Sequence, residues 1–417
     1  MSAAVRTTAS NGESTNKPLI VWLAGVSWDA IPGTDRHMAK AMTEYAQVLW
    51  VDPAVSPIRQ RLRDSFTGRS FKPSLSMVSD AVSRLTPKAL PGVSKPVIRA
   101  MTPALVQIQV RWALRQMNAN AAAVVATQLE APFARWGSGV VKVLYGTDDY
   151  VAGAELMGLS ARRQLKQELR VLTQADLVAG VSAELVGRWS DLGATPQLLP
   201  NGCWPVGKTQ ACLPVELRHL RRPVVGLVGQ LSDRIDLGIL EAIATAGFSL
   251  LIVGPLDPRW DSTRFRTLIS GPHVHFVGSV PASAVPDYLG AMDVGITPYR
   301  DIAFNRASFP LKTLEYLGAG LPVVSTALPA AEWLQADLAL ASDYDTSQRV
   351  LEIAATAEEF VDAISRILAD QAHPRDAACR DDPGKTRGEL CIALAARHSW
   401  PTRASALAEM IGLQGSR

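Results

Sequence analysis

Short apolar runs separated by longer amphipathic stretches set the rhythm of this chain. In the first half the runs fall at 19–24, 48–51, 122–126, 140–144 and 177–179. In the second half they fall at 224–228, 249–253, 273–277, 294–297 and 322–325. Runs this short, apolar on both faces and interleaved with helical patterns, predict parallel strands covered by helices on both sides. Two such series predict an α/β chain of two doubly wound, Rossmann-like domains, residues 17–200 and 223–395, facing a central cleft. Between them Leu199-Pro200-Asn201-Gly202-Cys203-Trp204-Pro205 carries Asn-Gly and repeated prolines, which marks a linker over 201–222. Residues 1–16 predict a polar disordered tail, and 396–417 a last helix. Ligands of such sheets bind beyond the carboxyl ends of the strands, so the strand-exit loops carry the functional question.

Composition narrows that question. The chain has 417 residues, 47% of them apolar, and a net charge of +3, too small to call for nucleic acid. Cys203, Cys212, Cys379 and Cys391 form no CxxC pair, so neither a zinc site nor a disulfide framework is expected. No apolar run approaches a membrane span of about 18 residues. The run at 19–26 reads as a first strand, and a cytoplasmic protein follows. The charge is unevenly spread. Residues 59–115 hold eleven Lys/Arg against Asp64 and Asp80, a net of +9, which leaves −6 for the remainder. Phe66, Phe71, Val97, Ile98 and Met101 interleave with these cations. Such a surface suits the anionic inner face of a membrane, or an ordinary solvated helix face.

Residues 308–326 carry the most chemistry. Ser308-Phe309-Pro310 precede a short helix with Leu311, Leu314 and Leu317 on one stripe and Lys312 and Glu315 on another face. Ser308 or Phe309 is expected at the cap and Pro310 in the first turn. A helix N-terminus attracts phosphate, a cation strengthens the attraction, and a carboxylate one turn on accepts two ribose hydroxyls. The same residues also fit a plain amphipathic helix with a surface ion pair.

Other strand exits add candidates. Gly229 and Gln230 follow the run at 224–228, where glycine lets a backbone approach a ligand, and Arg234 suits a diphosphate. Gly254 ends the next run. Phe276 and Val280 flank an extended exit able to meet a nucleobase edge. His273 and His275 alternate without a carboxylate or cysteine at metal spacing, so structural roles are expected. In the first half Asp148 and Asp149 leave a strand together. Adjacent side chains diverge, so one is expected to face the cleft and hold a sugar or polarise an acceptor. Gly25 and Trp28 lie in the loop after the first strand, with Trp28 open to sugar stacking or packing. Asp343-Tyr344-Asp345 matches DxD but is expected by chance in a chain with this many aspartates.

Together these residues resemble the retaining, GT-B-fold "group 1" glycosyltransferases, particularly the branch of teichuronic-acid-type enzymes. The resemblance spans about residues 18–370. It is carried by Pro310-Leu311-Lys312, Glu315-x4-Gly320-x-Pro322-Val323-Val324, His275-Phe276-x-Gly278-x-Val280, Leu199-Pro200-Asn201-Gly202 and Tyr145-x-x-Asp148-Asp149. It implies that Glu315 binds the donor ribose, that 307–312 receives the diphosphate, and that Arg234 assists. It also implies a final helix, 400–413, crossing back to the first domain. The chain departs from the family twice. Ala307 stands where many relatives place a first glutamate, and Gly146-Thr147-Asp148-Asp149 stands where many carry a histidine.

The expected activity is glycosyl transfer from a UDP-, GDP- or dTDP-sugar to a hydroxyl of an envelope glycan or lipid-linked acceptor. No metal or other cofactor is expected, with Arg234, Lys312 and Asp149 as catalytic groups. The donor-side residues are Gly229, Gln230, Gly254, Phe276, Val280, Ser308, Phe309 and Glu315; the acceptor-side residues are Gly25, Trp28 and Asp148. The loss at Ala307 keeps an inactive sugar-nucleotide-binding scaffold, or an epimerase on the same fold, as alternatives.

Overall fold

Each of the ten apolar runs forms a strand. The computed structural model describes residues 17–54, 72–91, 95–205, 214–260, 262–340, 348–372 and 386–413. The first domain runs β1 (Leu19–Leu23), α1 (Thr34–Ala41), β2 (Gln47–Val51), β3 (Ser74–Ser79), β4 (Val82–Thr86), α2 (Pro96–Gln116), β5 (Ala121–Ala126), β6 (Val141–Gly146), α3 (Ala161–Leu172), β7 (Leu177–Gly180), α4 (Ala183–Asp191) and β8 (Gln197–Leu198). The second runs β9 (Val224–Val228), α5 (Leu237–Thr245), β10 (Ser249–Val253), α6 (Ser262–Ile269), β11 (Val274–Gly278), α7 (Val285–Gly290), β12 (Val294–Thr297), α8 (Ala303–Ala307), α9 (Leu311–Gly318), β13 (Val323–Thr326), α10 (Pro329–Ala339), β14 (Leu351–Ala354) and α11 (Ala357–Ala372). Helices α12 (Arg387–Arg397) and α13 (Trp400–Ile411) follow.

The first sheet has the order β3-β4-β2-β1-β5-β6-β7-β8, and the second β11-β10-β9-β12-β13-β14. All pairings are parallel except β3 with β4. In each sheet the chain winds outward from its first strand and then returns to that strand's other side. The reversals lie between β1 and β5 and between β9 and β12. Helices diverge at such a switch point, which opens a crevice at the carboxyl ends of its two strands.

The basic stretch is not one helical surface. Residues 74–86 form a hairpin and 96–116 form α2, whereas 59–71 and 92–94 lie outside the described residues. The hairpin has no continuous apolar run, and β3 is largely exposed. Among the described residues no helix is long and apolar enough to cross a membrane.

One aromatic ring seats α9 against the second sheet. Tyr316 is fully buried, and its hydroxyl accepts the Val228 amide hydrogen at 2.6 Å. The ring lies over Gly295 of β12, where an added Cβ would sit 2.5 Å from it. The buried face of α9 is Thr313, Leu314, Tyr316, Leu317 and Gly318. Lys312 and Glu315 are thereby turned outward.

The linker binds both domains. Asn201 is 3% exposed; its amide oxygen accepts from the Thr34 hydroxyl at 2.8 Å, and its amide nitrogen donates to the Phe309 carbonyl at 2.7 Å. Gly202 lets the chain pass close under the last helix, since a Cβ there would lie 2.8 Å from the Trp400 nitrogen. Cys203 exchanges backbone hydrogen bonds with the carbonyl of His398 and the amide of Trp400. Helix α13 packs on α1, with the Trp400 and His37 rings stacked at 5.5 Å. Helix α12 packs on α9.

Asn201→Ala should therefore lower unfolding stability by about 2 kcal/mol, because it strands a buried carbonyl and a buried hydroxyl. Urea denaturation checks this, and an unchanged midpoint would contradict the bridging role.

Candidate functional site

Loops leaving the carboxyl ends of the two sheets meet, at Asp148 with Ser308 and at Ser182 with Ala307. On the second-domain side three strand ends carry glycine, in contact with one another. Gly229 donates to the Val253 carbonyl at 2.9 Å and Gly254 to the Gly278 carbonyl at 2.8 Å. Gly254 has φ +145°, and a Cβ there would lie 1.8 Å from the Gly229 carbonyl oxygen. No other residue fits this approach. Gln230 is exposed beside it.

Arg234 is held at the β9–β12 crevice. Its guanidinium lies over the Phe304 ring at 4.7 Å and the Tyr299 ring at 5.3 Å. Its Nε donates to Asn305 Oδ1 at 2.8 Å, and Asn305 Nδ2 donates back to the Arg234 carbonyl at 3.1 Å. Two aromatic faces and one amide thus orient the cation.

Helix α9 begins at Leu311, with Pro310 as its N-cap and no side-chain cap hydrogen bond. Pro310 thus lies at the cap itself, outside the first turn, and Ser308 and Phe309 are buried ahead of it. Phe309 packs edge-on to Trp333 at 5.8 Å, so its ring is core. The Ser308 hydroxyl donates to the Phe304 carbonyl at 2.7 Å and lies 3.3 Å from Asp148 Oδ1. Lys312 and Glu315 pair at 2.5 Å on the outer face of α9. His37 of α1 faces this pair. Burial pulls its imidazolium pKa down, while the Glu315 charge pulls it up. The indole nitrogen of Trp204 donates to His37 Nδ1 at 3.0 Å, which places the imidazole proton on Nε2.

The first-domain side differs from the sequence expectation at Asp149. Asp149 is 4% exposed, and its Oδ1 accepts from the amides of Val151 and Ala152 at 3.0 and 2.9 Å. Its Oδ2 lies 2.9 Å from Arg188, which also pairs with the buried Glu168. Both oxygens are engaged in structure, so the assignment of Asp149 as a catalytic group is corrected. Asp148 is the carboxylate that meets the second domain, at Ser308 and in the field of Arg234. Burial raises its pKa, and Arg234 and Ser308 partly oppose that rise.

Three further expectations change. The Trp28 ring stands edge-on to Trp50 at 5.1 Å under the Arg36 guanidinium, and is packed. Phe276 is half-buried and packs edge-on to Phe265 at 5.2 Å against the second-domain core. The Gly25 amide already donates to Asp35 at 2.9 Å. Val280 is half-buried near the interdomain core. Asp343-Tyr344-Asp345 lies outside the described residues. Among the described residues no group of three His, Cys, Asp or Glu is placed to hold a metal ion. His275 meets His219 edge-on at 4.9 Å, a packing contact.

The sequence reading missed Asp35, His37, Thr127, Tyr150 and Asn305. Only Asp35 left a trace, as an acidic residue in a first helical turn. It is 6% exposed, and burial pushes its carboxyl pKa up to about 6. The Thr127 and Gly25 hydrogen bonds oppose that rise, and the Asp148 charge adds to it.

The domains touch directly. The Ser182 hydroxyl donates to the Ala307 carbonyl at 2.5 Å, and Arg259 donates to the Leu156 carbonyl at 3.1 Å. The Phe304 ring lies over Gly153, where a Cβ would be 2.6 Å away. A cationic rim on the second domain thus adjoins a carboxylate on the first.

This is the GT-B architecture. Sucrose-phosphate synthase from Thermosynechococcus elongatus superimposes with a TM-score of 0.67 at 17% identity, covering 94% of this chain and 98% of that one. HepE from Anabaena, solved in complex with UDP, gives 0.61 at 14% identity, covering 95% and 99%. Within that fold, residues 222–370 match the family model of glycosyl transferases group 1. The chain is also 35% identical over 114 residues to TuaH of Bacillus subtilis strain 168, named as a teichuronic acid biosynthesis glycosyltransferase. That match spans 27% of this chain and 28% of TuaH.

The two neighbouring carboxylates should separate by mutation. Asp149→Ala should cost about 2 kcal/mol, from the lost turn cap and ion pair. Asp148→Asn should not destabilise at neutral pH. A carboxyl whose folded pKa is raised contributes stability below its unfolded pKa, and that contribution is lost as pH rises through the folded value. The substituted amide stays neutral throughout, so the variant's advantage should grow with pH. Melting curves between pH 4 and 8 check both, and equal losses would contradict the division of roles (about 4 is the unfolded carboxyl value).

Proposed function

We propose that this chain transfers a glycosyl group from a nucleotide-diphosphate sugar to a hydroxyl of an envelope glycan or lipid-linked acceptor. The observation that carries this reading is the meeting of strand-exit loops from the two domains. Arg234 and the uncapped start of α9 lie on one side, and Asp148 lies across from them. In this reading Glu315 turns from Lys312 to take the ribose hydroxyls. Arg234, Lys312 and the first-turn amides of α9 bind the diphosphate. As the glycosidic bond breaks, negative charge grows on the departing diphosphate, and these fixed cations and dipoles stabilise it. The acceptor hydroxyl approaches from the first-domain side near Asp148. The reaction is proposed to be metal-independent, because Arg234 and Lys312 supply positive charge where a divalent ion otherwise would. Retention of anomeric configuration is part of the proposal, on the family resemblance. The UDP held by HepE makes UDP-sugars the first donors to test, and the role in TuaH's name supports an envelope acceptor.

Ala307 favours a second reading, a sugar-nucleotide binder without turnover. Its side chain offers no carboxylate, and its carbonyl is engaged by Ser182. Release of UDP, GDP or dTDP from the matching sugar nucleotides contradicts that reading. An epimerised nucleotide sugar formed without acceptor would favour an epimerase.

A membrane surface is proposed for α2. Val97, Met101 and Ile108 are 71%, 53% and 63% exposed along one side of the helix. Arg111 and Arg115 continue that line as exposed residues. From residue 81 to 129 the sequence has no Asp or Glu, but holds Arg84, Lys88, Lys95, Arg99, Arg111 and Arg115. Such a face suits the anionic, cytoplasmic leaflet.

Two outcomes are expected. Glu315→Ala should weaken UDP binding about tenfold to a hundredfold, as for a lost charged hydrogen-bond partner. Lys312→Ala should mainly lower kcat, and calorimetry with steady-state kinetics would expose an unchanged pair. The protein should also float with phosphatidylglycerol vesicles at low salt. It should detach where the screening length falls to about 3 Å, and Met101→Asp should reduce flotation. Salt-insensitive or absent flotation contradicts the surface.

A further inference from the structure

The first sheet's switch point lies between β1 and β5, and one buried carboxylate ties its two lips together. Asp35 Oδ2 accepts from the Gly25 amide, just past β1, at 2.9 Å. It also accepts from the Thr127 hydroxyl, just past β5, at 2.8 Å. The Tyr150 hydroxyl donates to the Thr127 carbonyl at 2.5 Å and lies 2.9 Å from the Thr147 hydroxyl. Asp148 sits between Thr147 and Tyr150 in the chain. One chain of hydrogen bonds therefore runs from Asp35 through Thr127 and Tyr150 to the loop that presents Asp148. The second oxygen of Asp35 accepts no hydrogen bond among the described residues.

Asparagine would satisfy the same two donors, because its amide oxygen accepts both. Aspartate adds ionisable charge in a buried crevice, next to a second carboxylate. Burial makes that charge unfavourable for folding, and such groups concentrate where function uses them.

We propose that Asp35 is a positioning residue for the acceptor side of the cleft, fixing Gly25 and Thr127 and, through Tyr150, the loop that sets Asp148 opposite Arg234. The inference rests on the glycosyl-transfer reading of that cleft. The ionised carboxylate accepts both hydrogen bonds more strongly than the neutral acid, so the loops are held best when Asp35 is charged. The titratable groups facing it are Asp148 and Tyr150 on the β6 exit loop and Tyr145 on β6, with Arg403 of α13 beyond Tyr145. Arg36 and His37 follow it on α1. Its ionisation is centred at about 6, so turnover should fall as pH drops through that value.

The test compares wild type, Asp35→Asn and Asp35→Ala. Each is first checked for a cooperative melt and for stabilisation by UDP, GDP and dTDP. Turnover is then read as nucleotide release from the best donor among UDP-, GDP- and dTDP-sugars, with water as acceptor, from pH 5 to 8 (the range around the value of about 6). Wild type should show an acid limb near pH 6. Asp35→Asn should keep the nucleotide-induced stabilisation and lose that limb. Asp35→Ala should lose at least about tenfold in kcat, about 1.4 kcal/mol of barrier, with KM for the donor unchanged. A wild-type acid limb retained in Asp35→Asn overturns the proposal. So does Asp35→Ala with unaltered kcat, or with donor KM rising in step. If wild type is stabilised by none of the nucleotides, or releases none, the glycosyl-transfer reading itself fails and the Asp35 role falls with it.

Discussion

The placement of Tyr316 is the constraint on which the second half of the site depends. Helix α9 is only eight residues long and has no side-chain N-cap, so its own hydrogen bonding gives it little stability. It stands because a ring fills the notch over Gly295 and a hydroxyl meets the backbone at the end of β9. The rotation of α9 is thereby fixed, and with it the outward direction of Lys312 and Glu315. The same contact places the helix start beside the crevice that Arg234 occupies. A smaller side chain at residue 316 would leave α9 without an anchor. A side chain at residue 295 would leave no room for the anchor.

The electrostatic plan follows from this seating. Positive groups and helix amides collect at the second-domain switch point, while Asp35 and Asp148 collect at the first. Both carboxyls are raised in pKa chiefly by burial. The charge of Arg234 acts on Asp148 across the interdomain contact, so a bound diphosphate would compete with Asp148 for that positive charge. Asn201 touches both sides, through Thr34 on α1 and the Phe309 carbonyl ahead of α9. The linker therefore sets the spacing between the two halves as well as joining them.

The strands and the short helix bearing Lys312 and Glu315 were legible in the sequence because they are local. The runs at 224–228 and 249–253 are buried on both faces, and Lys312 and Glu315 share a face by helical geometry alone. Side-chain direction in the loops was not legible. Asp148 and Asp149 are adjacent, and the Val151 and Ala152 amides together with the distant Arg188 decide which of them is consumed by structure. Phe276 and Trp28 read as ligand contacts until Phe265 and Trp50, separated from them in sequence, claim their rings. Asp35 left only its place in a first helical turn, because its partners, Gly25 and Thr127, come together only when β1 and β5 pair. The β3–β4 hairpin was missed since an exposed edge strand has no apolar run to reveal it.

The central claim is that a nucleotide diphosphate occupies the second-domain switch point. Amide hydrogen exchange with and without UDP tests it most directly. The account predicts slowed exchange at 229–234, at 254–256 and at 309–316, with β14 and α11 unaffected. Protection confined to other surfaces, or none at saturating UDP, GDP and dTDP alike, would contradict it.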